Sequence, residues 1–265
     1  MFFRMSSGML ALTLFGVVVG MSALGLVVGH RLRDRAHHLR EPIGAVQTAL
    51  LGFMGLVLAF GLSLAVGRYE SRRAASVDET NAIGTTYLRA QTLPEPVRTG
   101  SLERLVRYTD SRIRLSRAVP TSDQAKDAEV EGARIERQLW GLAGQALDAA
   151  PTATAPRLYV DSLNEMIDMD TVRVAGLNNR VPDPVLALEV LGAAVALGLL
   201  GLHLGLLGRG VLPVLVAASL VSLMLLAIFD LDRPARGLIR IPSTSLVGLR
   251  ASMELPPAAD GPSGP

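Results

Sequence analysis

Four long apolar blocks constrain the fold of this chain more than any other feature of its sequence. They run from about Gly8 to Gly29, from Ile43 to Gly67, from Val185 to Leu207 and from Val211 to Phe229. A helix of about 20 residues, rising about 1.5 Å per residue, crosses the roughly 30 Å hydrocarbon core of a bilayer. The sequence therefore predicts an all-α integral membrane protein with four transmembrane helices.

The first block admits a second interpretation, as a signal peptide. Arg4 precedes it, and small residues lie near Ala23 and Gly25. The apolar region of a signal peptide has only about 7–15 residues, which is shorter than this block. We therefore favour a membrane anchor, connected to the second helix by the charged linker His30–Glu41.

The last two apolar blocks are predicted to form a helical hairpin, since only residues 208–210 separate them. The Pro-Asp-Pro sequence at 182–184 offers an N-cap followed by proline at the first helical position. Pro213 falls in the first turn of the fourth helix, where proline is tolerated. After Asp230 the chain is polar, and from about residue 256 its Pro, Gly, Ala and Ser content predicts disorder.

Residues 68–183 have the composition of a soluble domain, and their apolar residues recur with helical spacing. Three stretches each place side chains on one helix face: Ile83, Tyr87 and Ala90; Ile135, Leu139, Leu142 and Ala146; and Met166, Asp170, Val174 and Leu177, where the aspartate is a polar interruption. Pro94 and Pro96 would end the first of these helices, and Ser122 or Asp123 would cap a later one.

The predicted domain plan follows the chain. Residues 1–67 hold the first two membrane helices, 68–183 the soluble helical domain inserted between helices 2 and 3, 184–229 the hairpin, and 230–265 a polar tail. No strong turn signal occurs in residues 67–93, so the second helix is expected to continue out of the bilayer.

Arginine positions favour an orientation with both termini and the soluble domain inside. With the amino terminus inside, the arginines near membrane ends on the cytoplasmic side would be Arg4, Arg68, Arg72, Arg73, Arg173, Arg180, Arg233, Arg236 and Arg240. Those outside would be Arg31, Arg33, Arg35, Arg40 and Arg209. Because positive residues concentrate on the cytoplasmic side, the larger set belongs inside.

Composition excludes several classes of function. The formal net charge is only +2, so no nucleic-acid partner is expected. The chain has no cysteine, which excludes disulfides, thiolate metal sites, iron–sulfur clusters and cysteine nucleophiles.

No motif indicates an enzyme. Residues 61–65, Gly-Leu-Ser-Leu-Ala, are similar to a nucleophile elbow but lie inside an apolar helix rather than at a strand-to-helix turn. Two groups of ligand-type residues are close in sequence: His37, His38 and Glu41, and Asp161, Glu165, Asp168 and Asp170. An interfacial loop and a solvated helix face explain them better than a bound cation. No catalytic residue, metal or cofactor is assigned.

Two ionisable residues, Glu189 and His203, lie within the third apolar block. Burying such a group in lipid is costly, which makes function the default interpretation. Each also lies near a helix end, where its side chain would reach the interface or a neighbouring helix. Both interpretations stay open.

Glycine pairs at a spacing of four residues would let membrane helices approach closely. The pairs are Gly16 and Gly20, Gly25 and Gly29, and Gly201 and Gly205. They predict tight helix packing without specifying the partner.

Two segments at the ends of apolar blocks carry a family pattern. Residues 58–63 read Leu-Ala-Phe-Gly-Leu-Ser and are followed by Arg68, Tyr69, Glu70, Arg72, Arg73, Glu79, Asn81 and Ala82. After the fourth block, residues 231–237 resemble an acidic-x-Pro-x-Gly turn, with Asp232, Pro234 and Gly237 as the motif positions and two residues, rather than one, between the proline and the glycine. Both segments resemble the bestrophin superfamily, and most closely its bacterial bestrophin-like branch.

The resemblance implies a pentameric anion channel of the bacterial inner membrane, with chloride as the expected ion and the second helix lining the pore. Leu56 and Phe60 match the family's apolar neck, and Phe53 lies on nearly the same face. Such a ring gates by dewetting. The alternative for these residues is packing against lipid or neighbouring helices.

The chain also departs from the family pattern. Calcium-activated members carry an acidic cluster near the turn after the fourth helix, whereas only Asp230 and Asp232 precede Pro234 here, which argues against calcium gating. Tandem aromatics after the second helix are reduced to Tyr69, and Ala235 replaces a phenylalanine. A non-conducting membrane scaffold or sensor, whose helical domain binds a partner protein, is the alternative function.

Overall fold

The computed structural model describes residues 6–35, 37–119, 122–209, 211–233 and 237–257. Within these ranges the chain is helical and has no strand, so the predicted all-α class is confirmed. The helices are α1 (Ser7–Leu32), a short 3₁₀ helix (His37–Leu39), α2 (Arg40–Ala90), α3 (Val97–Arg117), α4 (Asp123–Ala149), α5 (Thr154–Asn178), α6 (Asp183–Leu206), α7 (Leu212–Leu231) and α8 (Thr244–Ser252).

Four of these helices, α1, α2, α6 and α7, are long and apolar enough to cross a membrane. They coincide with the four predicted blocks, and that prediction is confirmed. The second helix has 51 residues and ends at Ala90, well beyond its apolar block, as the lack of turn signals indicates.

The starts of two helices test the predicted caps. The Ser122 hydroxyl accepts a hydrogen bond from the Ala125 amide at 3.2 Å and caps α4. The cap predicted for α6 was wrong by one residue: Asp183 is already helical, and the cap position is Pro182, with no side-chain hydrogen bond. The Pro182 carbonyl accepts the Val185 amide at 2.9 Å, and Pro184 sits in the first turn, where no amide hydrogen is needed.

The chain divides into two compact units. The apolar unit comprises Met1–Tyr69 and Arg180–Ile239, and the polar unit comprises Glu70–Asn179 and Arg240–Pro265. Both include part of α2.

In the apolar unit, α1 packs most closely against α6, through glycine. A methyl group on Gly25 would overlap the carbonyl oxygen of Gly198, and one on Gly205 would lie 2.5 Å from that of Leu26. Methyl groups added at Gly29 and Gly201 would likewise overlap backbone carbonyl oxygens of the facing helix. Two of the three predicted glycine pairs thus form one close helix crossing. The third, Gly16 and Gly20, faces open space.

In the polar unit, the last turns of α2 pack with α3, α4, α5 and α8 around one apolar core. The first two predicted faces are confirmed, since Ile83, Ala90, Ile135, Leu139 and Ala146 are buried. On the third face Met166 is buried and Asp170 turns inward to Arg112, but the prediction was wrong at Val174, which is exposed.

The helix α8 was not predicted. Leu246 and Met253 are buried in the polar unit, and the Tyr87 hydroxyl donates to the Met253 carbonyl at 3.3 Å. The spacing of Leu246, Leu249 and Met253 on one face is the only sequence signal, and nine residues are too few for it to stand out. Residues 258–265, for which disorder was predicted, lie outside the described residues.

Candidate functional site

The apolar part of α2 has two distinct faces. Met54, Leu58 and Ala65 are buried in the apolar unit. The side chains of Phe53, Leu56, Phe60 and Leu64 are exposed and form an apolar stripe, about 80° wide at 3.6 residues per turn. We call these four residues the α2 stripe.

The α2 stripe contains all three predicted neck residues. Phe53, Leu56 and Phe60 expose 57%, 55% and 63% of their surface. They are not part of the apolar core of the unit, so their surroundings must come from outside this single chain. At membrane depth those surroundings are lipid, a second chain or a pore.

Behind α2 lies Glu189 of α6, a fully buried carboxyl group. Neither of its oxygens has a hydrogen-bond partner among the described residues. Its Oε1 fills the space beside Gly61, where an added methyl group would overlap it. Gly61 follows Phe60 directly, so the carboxyl group contacts α2 one residue after the predicted neck.

His203, the second ionisable residue of α6, also faces α2. Its half-buried imidazole packs over Gly44, where a methyl group would lie 2.8 Å from Cε1. The Nδ1 atom has no hydrogen-bond partner among the described residues. The structure thus brings both predicted ionisable residues against glycines of the same helix.

The family positions just after the apolar part of α2 differ in environment. Tyr69 is half-buried and packs against the apolar core of its unit. Glu70 is exposed, with Oε2 3.7 Å from Nη1 of Arg73. Asn81 is exposed, and Arg68 is half-buried.

Glu79, a further family position on α2, belongs to a buried network of charges in the polar unit. Arg112 donates from Nε to Glu79 Oε1 at 2.7 Å and also binds Asp170. Arg173 lies 3.3 Å from Glu79 Oε2 and 3.1 Å from Asp170 Oδ1. Two cations thus face two anions, and we call these four residues the charge network. Asp170, expected on a solvated helix face, is an ion-pair partner instead.

Tyr108 and Glu136 adjoin the charge network. The Arg112 guanidinium lies 5.6 Å from the centre of the Tyr108 ring, and the Tyr108 hydroxyl donates to Glu136 at 2.9 Å. Burial raises the pKa of both Tyr108 and Glu136. Burial alone would lower the pKa of Arg112, but the neighbouring Glu79 and Tyr108 reverse that effect and raise it. Arg112 therefore stays charged. No sequence signal linked these residues, because they come from separate helices.

The two aspartates at the end of α7 bind backbone amides. Asp230 accepts the Leu238 and Ile239 amides at 2.8 and 2.9 Å, and Asp232 accepts the Val181 amide at 3.0 Å. At Gly237 a methyl group would lie 2.7 Å from the Asp230 carbonyl oxygen, which explains the glycine. The motif position Pro234 lies outside the described residues.

Within the described ranges, no three His, Asp or Glu side chains converge in a way that would hold a metal ion. Two of the acidic groups have other partners: Asp170 binds Arg112, and Asp230 accepts the Leu238 amide.

Comparison with known proteins identifies the family. The bestrophin-like domain matches residues 12–246, so the chain belongs to the bestrophin-like family. A crystal structure of a bacterial bestrophin homolog from Klebsiella pneumoniae superposes with a TM-score of 0.65 at 16% identity, over 92% of this chain and 97% of that chain. A second structure of a homolog from this organism gives 0.64 at 16% identity, over 92% and 95%. No curated protein matches the sequence.

At this identity the structural likeness shows a shared fold, while the domain match shows the family. The resemblance inferred from residues 58–82 and 231–237 is therefore confirmed. With its four apolar helices, the chain is a bestrophin-like membrane protein.

Proposed function

We propose that this chain forms an oligomeric anion channel in the bacterial inner membrane, with chloride as its ion and α2 lining the pore. The observation that carries the proposal is the α2 stripe on the outer face of a chain of this family. The resemblance supplies the pentameric state.

The α2 stripe would form the neck of that pore. In a cyclic oligomer each chain contributes the same residues at the same depth, so Phe53, Leu56 and Phe60 would become stacked apolar rings. Water and ions are unstable in a narrow apolar ring until it widens. The exposure of these side chains in the single chain supports this role, because it leaves them available to line a pore.

The polar unit would be the soluble domain, inserted in the sequence at residues 68–183 and forming a cytoplasmic vestibule. The arginine distribution supports an orientation with both termini inside. The buried charges of the charge network pair with one another, and no residue is assigned a catalytic role.

A membrane scaffold or sensor is the second candidate. Trp140, the single tryptophan, is 47% exposed on α4 of the polar unit, and exposed tryptophans are enriched where proteins bind partners. This function predicts a folded, inserted protein that carries no ions.

Chloride flux into reconstituted liposomes tests the channel, with Phe60→Ala as the variant. Removing the ring from the neck lowers the dewetting barrier, and flux is expected to rise about tenfold, the effect of about 1.4 kcal/mol on a barrier. Phe15→Ala, on the partly exposed face of α1, is the matched control and should leave flux unchanged.

Two outcomes would contradict the proposal. Absence of flux from folded, inserted protein would favour the scaffold or sensor. Equal flux for native protein and Phe60→Ala would keep the channel but remove Phe60 from its neck.

A further inference from the structure

We propose that Glu189 is an intramembrane proton-binding site and that the packing of α6 against α2 seen here is its protonated state. Release of the proton would separate the two helices at Gly61. If the proposed channel function holds, on which this second step rests, that movement makes the neck sensitive to pH.

The proton site follows first from the isolation of the carboxyl group. Glu189 is fully buried, and both its oxygens lack a hydrogen-bond partner among the described residues. An ionised carboxylate in such a place has lost its water and gained no compensating donor. The neutral acid loses far less hydration free energy on burial, so it is the form compatible with this packing.

No other titratable group of the apolar helices reaches this carboxyl group. Residues 7–29 of α1, 42–67 of α2 and 212–229 of α7 contain none. On α6 the other titratable residues are Asp183, six residues before Glu189, and His203, which lies 14 residues after it, or about 21 Å along the helix.

The flanking titratable groups lie at the ends of the apolar segments. They include His30 and Arg31 on α1, Glu41, Arg68 and Tyr69 on α2, Asp183 on α6, and Asp230 and Asp232 at the end of α7. Arg68 lies seven residues from Gly61, and the two α7 aspartates accept backbone amides. None of these groups makes a hydrogen bond to the Glu189 carboxyl group among the described residues.

Coupling to the neck follows from Gly61. The carboxyl group occupies the space that a side chain at position 61 would fill. A charged carboxylate requires water around it, and this contact has no room for water unless α2 moves away from α6. Because Gly61 and Phe60 are adjacent on one helix, that movement would carry the α2 stripe towards the pore axis and narrow the neck.

Infrared difference spectroscopy tests the proton site without relying on ion flux. Native protein minus Glu189→Gln, both in liposomes at neutral pH, should show the carbonyl-stretch band of a protonated carboxylic acid. The band should vanish on alkaline titration as a carboxylate band appears. An ionised Glu189 at neutral pH would overturn the proposal. Glutamine keeps the size of the side chain, and equal elution volumes of the two proteins will confirm that both fold.

The pH dependence of chloride flux tests the coupling. Between about pH 6 and about pH 9, native flux should fall about tenfold, because buried carboxyl groups titrate in this range. Glu189→Gln should remove the dependence, whereas the control His203→Gln should retain it. A dependence that survives in Glu189→Gln would overturn the coupling.

The two measurements test the proton site and the channel separately. A protonated-acid band without flux in any variant would keep the proton site and refute the channel. Flux without the band would keep the channel and refute the proton site.

Discussion

Replacing Arg112 with methionine is expected to destabilise the polar unit by about 3–5 kcal/mol, the cost of leaving a buried ion pair without its partner. Arg112 and Arg173 each contact both acids of the charge network, and Arg112 is the more buried of the two cations, with 3% of its side chain exposed against 16% for Arg173. Loss of Arg112 leaves Glu79, which is 1% exposed, with Arg173 alone. Methionine keeps much of the length of the side chain, so the effect reports mainly on charge.

Trp140 provides the measurement. It is the single tryptophan and lies on α4, so its fluorescence during denaturant unfolding of the full-length protein in detergent reports on the polar unit. The midpoint should fall well below that of native protein.

The matched control for this prediction is Arg107→Met. Arg107 lies on the same helix and binds Glu131 at 2.8 Å, but its side chain is 53% exposed. A loss below about 1 kcal/mol is expected, since solvent screens exposed pairs. Equal losses for the two variants would show that burial of the charge network contributes nothing.

Gly201→Ala is expected to destabilise the apolar unit by about 3 kcal/mol, because the added methyl group has to displace backbone rather than a flexible side chain. It would overlap the carbonyl oxygen of Ser22 and lie 3.0 Å from the amide nitrogen of Leu26, both on α1. Helix α6 can accept the methyl only by moving away from α1. Thermal loss of the monodisperse peak in size-exclusion chromatography, in detergent, gives the measurement.

Gly16→Ala is the control for this prediction. Gly16 belongs to the glycine pair of α1 that faces open space, with nothing within 4 Å of an added methyl group. Alanine has the higher helix propensity, so this variant should be neutral or slightly more stable. A large loss here, or none in Gly201→Ala, would contradict the close crossing of α1 and α6.

The features that could be predicted from the sequence depend on the thickness of the bilayer or on residue spacing within one helix. A bilayer requires about 20 consecutive apolar residues in a helix, so four spans could be recognised without a structure. Within the polar unit, the spacing of Ile83, Tyr87 and Ala90 indicated a core face because helical periodicity is local. The family followed from two short motifs, at residues 58–82 and 231–237.

The three glycine pairs show what residue spacing could not predict, namely which pairs pack against another helix. All three pairs have the same spacing, so they could not be told apart from the sequence. Only the packing of α1 on α6 separates Gly25 and Gly29, which meet backbone, from Gly16 and Gly20, which do not. The short α8 was missed for a related reason, since its stability comes from the core it joins rather than from its nine residues.

By itself the sequence determined the all-helical class, the four apolar spans and the family, because these depend on composition and on spacing within one helix. The tertiary structure alone decided which charges are neutralised and which are left isolated. Glu79 gains Arg112 and Arg173 from α3 and α5, whereas the Glu189 carboxyl group, beside Gly61, has no hydrogen-bond partner among the described residues. The cost of a buried charge depends on its nearest neighbours in space, and those neighbours are distant in sequence.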